Sequence, residues 1–379
     1  MTKSEIKTAI KSKRVFLPEF VKYSLKYKKN NQGEDELCDC LLEFQNVYTI
    51  IEVKERNEKF IEKPSKNWFH NKIEKDAVDR IVKFYNIYEK AGDLSFYDED
   101  GSDIPINSSF ETMPVIVFDN PTIKNYKRTI YCSRINKFIN VFSIDDFNNA
   151  FDVLLIPYEI NRYLAFRISL LNKGDDVFNS HLVIGDFDNK LLLLGGGINS
   201  ESDLAQYYCA ARFDANIDPN EIEEKLLLFN KITNFVKESL DSNGADFDAR
   251  RRIISFVNSV DINTAYSFAK KWEACINRCK EKNPFYSPFL FRAHDNSAGM
   301  LFLVKPDFIE SDKFFDYSCL MMLMYAYQKH INLMYLVGFT ENDGYVDTML
   351  VGRRFDDLVY PDKELEDTIA KYKKAGLAI

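Results

Sequence analysis

No stretch of this 379-residue chain approaches the roughly 20 consecutive apolar residues that a bilayer-spanning helix needs. The opening residues, MTKSEIKTAIKSKR, hold no apolar signal core either, so the sequence predicts a cytoplasmic protein. Histidine is scarce, with four residues in all, and around His181, His294 and His330 neither a Ser/His/Asp arrangement nor a metal-ligand spacing emerges. The seven cysteines are odd in number and scattered through a long chain, which argues against a disulfide framework. Cys38/Cys40 and Cys275/Cys279 have no histidine at finger spacing, which leaves structural zinc without support. The three glycines at 195–197 lack the Lys-Ser/Thr of a phosphate loop and read as a turn, and the acidic loop around Asp98, Asp100 and Asp103 lacks the closing glutamate of a calcium loop. Internal repeats and low-complexity tracts are also missing.

Positive charge is in deficit overall, the net charge being −8, which by itself disfavours a nucleic-acid partner. Its distribution is uneven. Residues 1–90 carry 19 Lys/Arg against 15 Asp/Glu, and the remaining residues 31 against 43. The front of the chain is therefore basic and the rest acidic, a pattern that suits a nucleic-acid contact in the first part and a protein partner or second copy of the chain in the second.

Apolar spacing predicts two short helices, from Ser4 to about Lys13 and from Pro18 to Lys29. ELCDCLLEF (36–44), a Gln45-Asn46 turn and VYTIIEVKE (47–55) then predict an antiparallel hairpin. Trp68, Ile73, Ala77, Ile81, Phe84 and Tyr88 mark one face of a long helix ending before Gly92, and TMPVIVFDN and TIYCSR predict further strands. The segment from Ile135 to Leu155 and that from Tyr158 to Asn172 read as helical, as do 202–240 and 247–282. A strand at 299–307, a helix at 312–329 and a hairpin around Glu341-Asn342-Asp343-Gly344 follow. The sum is an α/β (α+β) fold: a mixed sheet flanked by helices over 1–145, then a mainly helical α+β region over 146–379.

The first hairpin carries the chemistry. With its turn centred between Gln45 and Asn46, opposed residue numbers sum to 91, which sets Asp39 against Glu52. Like charges so placed repel, and a divalent cation removes that penalty. Strand alternation puts Lys54 on the face of Glu52. Two carboxylates, the Val53 carbonyl and water form a hard-oxygen set suited to Mg²⁺ or Mn²⁺, with Lys54 placed to orient or deprotonate an attacking water. Other Glu-x-Lys triplets, Glu5-Ile6-Lys7 and Glu223-Glu224-Lys225, lie in helical contexts.

Asp39, twelve intervening residues and Glu52-Val53-Lys54 resemble the PD-(D/E)XK (restriction-endonuclease-like) nuclease superfamily over about residues 15–135. Cys38 stands where the motif has proline. The resemblance implies a Mg²⁺-dependent phosphodiester hydrolase, with Asp39 and Glu52 as metal ligands, Lys54 serving the water and Glu36 as a further acidic member. It also implies a DNA endonuclease, in the setting of restriction or anti-phage defence. On the following helix the Gln-x-x-x-Tyr signature of some branches has no glutamine; Arg80 or Lys83 beside Tyr85 takes its place. Lys28, Lys29, Lys72, Lys75, Arg80 and Lys83 are the expected phosphate contacts. His70 is expected to be structural. The competing expectations are a catalytically silent nuclease fold acting as a nucleic-acid- or protein-binding scaffold, and an RNA-directed nuclease.

Overall fold

The computed structural model describes residues 2–16, 20–29, 33–44, 46–56, 67–89, 95–98, 101–171, 198, 200–212, 217–242, 247–280, 288–293, 297–306 and 308–374. Pro18, Gln45, Asp100, Gly92 and the 195–197 glycines, together with His181 and His294, lie outside the described residues. The chain divides into two compact units, Met1–Ile217 and Asp218–Ile379.

In the first unit an eight-stranded mixed sheet is ordered β5-β4-β1-β2-β3-β6-β8-β7. The strands are β1 (Val21–Lys29), β2 (Gly33–Phe44), β3 (Val47–Glu55), β4 (Phe96–Tyr97), β5 (Asp103–Ile104), β6 (Glu111–Asp119), β7 (Thr129–Cys132) and β8 (Lys137–Ser143). β3, β6 and β8 run parallel, and the other neighbours are antiparallel. Helix α1 (Lys3–Phe16) precedes the sheet, α2 (Val78–Tyr88) lies between β3 and β4 in the chain, and α3 (Ile144–Leu154), α4 (Pro157–Leu171) and α5 (Glu201–Ala210) follow the last strand. One face buries Leu41, Tyr48, Ile50, Ile116, Phe118, Ile139 and Val141 under Ile73, Ala77, Ile81 and Phe84. On the other, Phe16 meets Phe44 and Phe151, and Phe142 meets Phe147.

Three expectations are corrected. The segment from Pro18 to Lys29 is not a second helix: Val21–Lys29 is a strand, because Val21, Tyr23, Leu25 and Tyr27 are buried while Lys22, Ser24 and Lys26 are not, a period of two. Likewise Lys137–Ser143 is a strand with Ile139 and Val141 facing one layer and Asn140 and Phe142 the other; the helix starts only at Ile144, where the Ser143 side chain accepts from Asp146 N at 3.1 Å. Asp103, expected in a solvated loop, belongs to the short β4–β5 pair.

The ends of β3 and β6 hold the first helix. Glu55 accepts from Ser4 N at 2.8 Å and Asp119 accepts from Ser4 Oγ at 2.8 Å, so carboxylates from two strands meet the positive end of α1. Thr2 and Glu5 add a reciprocal local cap.

Behind β8 lies a buried polar network. Arg167 of α4 is fully buried. It donates to Glu201 Oε1 (2.7 Å) and Oε2 (3.2 Å), to Asn140 Oδ1 (3.1 Å), and to the carbonyls of Arg128 (2.7 Å) and Val141 (2.9 Å). Arg128 and Tyr163 also reach Glu201, at 2.9 and 2.5 Å.

The second unit carries a four-stranded sheet, β12-β11-β10-β9, made of β9 (Phe289–Arg292), β10 (Gly299–Val304), β11 (Leu333–Asn342) and β12 (Tyr345–Arg354). β10 and β11 are parallel, joined through the helix Phe314–Lys329. β11 and β12 form the expected hairpin, turning at Asp343 (φ 48°) and Gly344 (φ 86°), the paired positive values of a two-residue turn. Among the described residues no helix is long and apolar enough to cross a membrane.

Candidate active site

The hairpin register is the one the sequence implies. Phe44 pairs with Val47 and Cys40 with Ile51, every pair summing to 91, with Asn46 at φ 61° in the turn. The ladder ends at Cys40/Ile51, although both strands continue. Asp39 and Glu52 are thus the first positions at which β2 and β3 part. In an unbroken ladder the Val53 N–H would bond to the neighbouring backbone; instead it donates to Asp39 Oδ2 at 2.6 Å. A carboxylate has replaced a carbonyl between the strands, and the acid is thereby fixed at the opening.

Glu52 and Lys54 share a face, as alternation requires. Lys54 Nζ donates to Glu52 Oε1 at 2.8 Å, and Arg80 Nε reaches the same oxygen at 3.3 Å. Arg80 arrives from the other layer. It follows a π-helical stretch, His70–Ala77, that runs directly into α2. A π turn advances by a wider step than an α turn, which fits the five-residue interval from Trp68 to Ile73 in the apolar face, and such stretches recur at functional sites. Arg80 also holds Glu36 Oε2 at 3.0 Å, and Lys83 holds Asp35 at 2.7 Å. Asp39, Glu52, Lys54, Glu36 and Arg80 are therefore brought together at one opening.

Their charges are strongly perturbed. Burial, and then the Glu52 carboxylate beside it, push the Asp39 carboxyl up to about 8, against the Val53 hydrogen bond that lowers it. Glu52, 1% exposed, is raised by burial in spite of Lys54 and Arg80. For Lys54 burial pulls the ammonium down, but Glu52 outweighs it and the group stays above the ordinary lysine range, so it is a cation at neutral pH.

Two oxygens, Asp39 Oδ1 and Glu52 Oε2, take no hydrogen bond from the described residues. Arg56 N bonds to Asp119 O, so residues 52, 54 and 56 turn their backbone groups toward β6, and Val53 turns its carbonyl toward the opening at Asp39. Two neighbouring buried carboxylates and a converging carbonyl fit a hard divalent ion, which would displace the proton that burial and Glu52 favour on Asp39. Among the described residues no three His, Cys, Asp or Glu side chains group at metal-holding distances, so the set would be completed by backbone oxygen and water.

The other expected phosphate contacts are dispersed. Lys72 pairs with Asp76 at 3.2 Å, Lys75 is exposed on the π-helical stretch, Lys28 is exposed and lies 5.8 Å from the centre of the Tyr97 ring, and Lys29 is placed only by its backbone, opposite Gly33. His70 bonds to Glu74 at 2.8 Å, within its own helix. What sequence reasoning missed is the contact of Arg80 with Glu52: its 28-residue separation gave no local signal. No family model, no curated protein and no solved structure matches this chain.

Proposed function

We propose that the first unit is a divalent-metal-dependent phosphodiesterase of restriction-endonuclease-like fold, acting on DNA as an endonuclease. The observation that carries this reading is the convergence of Asp39, Glu52 and Lys54 where β2 and β3 part. Asp39 and Glu52, with the Val53 carbonyl, would hold Mg²⁺ or Mn²⁺. When bound, such an ion lowers the pKa of an attacking water and offsets charge on the phosphate. The protonated Lys54 is suited to orienting that water and to stabilising the charge that develops on the phosphate oxygens. Arg80 holds Glu52 and Glu36 in position. By the family resemblance, restriction or anti-phage defence is the setting.

Purified protein should nick plasmid DNA or cut single-stranded DNA in Mg²⁺ or Mn²⁺ and not in EDTA, and Glu52→Gln should abolish the cut. Competition with RNA identifies the preferred strand. Absence of cleavage on every nucleic acid offered would sink the proposal.

One observation favours a second reading, a scaffold that binds without cleaving. Three of the expected phosphate contacts on the helix, Lys72, Arg80 and Lys83, are already paired with acids of the protein itself. A further test separates the two readings. Asp39→Asn keeps an acceptor for Val53 N–H, so the metal-free protein should melt close to wild type. Wild type should be stabilised by Mn²⁺, by about 2.7 kcal/mol at a hundredfold excess over Kd, and the variant should lose that gain. Equal stabilisation of both proteins in a melting series would rule out Asp39 as a ligand.

A further inference from the structure

The sheet of the second unit ends on β12, which pairs with β11 alone among the described residues, over all 10 of its positions and without a bulge. Just past the strand, Phe355 N donates to Asn332 O at 2.8 Å, which marks the odd-numbered residues as those whose backbone groups face β11. Val346, Thr348, Leu350, Gly352 and Arg354 therefore turn their N–H and C=O groups outward. Those groups take no hydrogen bond among the described residues. Natural sheet edges are kept from pairing by shortness, lysine, proline or a bulge. β12 runs well beyond the roughly 5–6 residues of an ordinary strand. Its sequence, YVDTMLVGRR, holds neither lysine nor proline, and Met349, Leu350 and Val351 in its middle are apolar and only half-buried.

Such an edge meets a second copy of itself under a symmetry condition. In an isologous contact residue i meets j and j meets i. Both must turn their backbone groups outward or both inward, so opposed residues are both even or both odd. Antiparallel pairing centred on Leu350 satisfies this and sets Asp347 of each copy opposite Arg353 of the other, where opposite charges attract. It also sets Met349 opposite Val351 and Leu350 opposite itself, so apolar middle closes on apolar middle. Centring on Met349 instead sets Asp347 against Val351, and centring on Val351 sets it against Phe355. The charges thus select one register. Both are available for it: Asp347 and Arg353 are exposed, Asp347 bonds to the Asn342 amide at 3.1 Å, and the Arg353 guanidinium lies 5.4 Å from the centre of the Phe355 ring and meets no acid among the described residues.

We propose that β12 is a dimerisation edge, on which a second copy of this chain pairs antiparallel about Leu350 and joins two four-stranded sheets into one. Asp347 and Arg353 fix the register, and the apolar middle supplies the burial. The contact draws on no residue of the candidate active site and stands apart from the phosphodiesterase reading.

Sedimentation equilibrium of the full chain should show the mass rising to twice that of one chain as concentration increases. Leu350→Pro removes an outward N–H and none that bonds to β11, a placement that edge strands tolerate. It should leave the melting temperature of the dilute protein near that of wild type and the protein monomeric. Asp347→Arg and Arg353→Asp each set like charges opposite one another twice across the edge, and each should weaken the dimer by about tenfold or more. Both side chains are exposed, so both variants should fold. Mixed in equal amounts, the two variants restore an acid opposite a base at both places, and the heterodimer should form with an affinity close to that of wild type. Wild type that stays monomeric at about 100 µM, where a micromolar Kd would give mostly dimer, overturns the proposal. A dimer that survives Leu350→Pro, or charge variants that do not rescue one another, overturns it equally. Should Leu350→Pro fail to fold, the rescue between the charge variants decides.

Discussion

Lys54→Ala is expected to lower metal-dependent cleavage by about 10²- to 10³-fold, the usual effect of removing one donor aimed at developing charge. The ammonium sits 2.8 Å from Glu52 Oε1, and its side chain is largely sheltered, so the charge acts where water screens it poorly. Glu52 keeps Arg80 as a partner at 3.3 Å, and its other oxygen stays available. Stabilisation by Mn²⁺ should therefore survive in Lys54→Ala while turnover is lost. That split, read as cleavage rate against melting temperature, distinguishes a group that serves the chemistry from one that only balances Glu52. Cleavage within threefold of wild type would remove Lys54 from the mechanism.

Arg167→Met should be the most damaging single change in the first unit. It takes one of two guanidinium partners from the buried Glu201 carboxylate, which keeps Arg128 and Tyr163, and removes a donor from the Asn140 oxygen and from two backbone carbonyls. Breaking one side of a buried ion pair costs about 3–5 kcal/mol. For a unit of this size each kcal/mol lowers the melting temperature by about 2–4 °C, which gives a fall of roughly 10 °C. Burial of Arg167 over the Phe142 ring, 3.9 Å from its centre, makes the loss one of packing as well as charge. Arg167→Met combined with Glu201→Gln should recover part of the loss, because the buried carboxylate charge that has lost one of its two cations is then gone. A single variant melting within 2 °C of wild type would show that the network carries little stability.

The sequence made the hairpin legible because three independent signals agreed there: strand alternation, a turn at Gln45-Asn46 and a fixed sum of opposed numbers. It could not show that the ladder stops at Cys40/Ile51, since the reason is a side chain, Asp39, taking a backbone N–H. Strand β1 was misread because Phe20, Val21, Ser24 and Leu25 mimic a helical stripe, while the deciding fact is that Tyr23 and Tyr27 join Val21 and Leu25 in the interior. β8 failed for another reason: its apolar residues flow without a break into α3, and only Ser143 marks the change. Glu52, Lys54 and Asp39 were found from local spacing. Arg80 was named for phosphate, and its contact with the carboxylates depends on the phase set by the π-helical stretch, which the composition of residues 70–77 does not announce.

The clamp on α1 also has a consequence for the order of assembly during synthesis. Thr2 and Glu5 cap the helix as soon as it is made, but its docking partners on the strands lie 51 and 115 residues later in the chain. At roughly 5–20 residues per second, Asp119 leaves the ribosome about 6–23 s after Ser4. Helix α1 is therefore secured only after strands made well behind it in the chain, and until β3 and β6 are paired the carboxylates that hold its N-terminus are not in place.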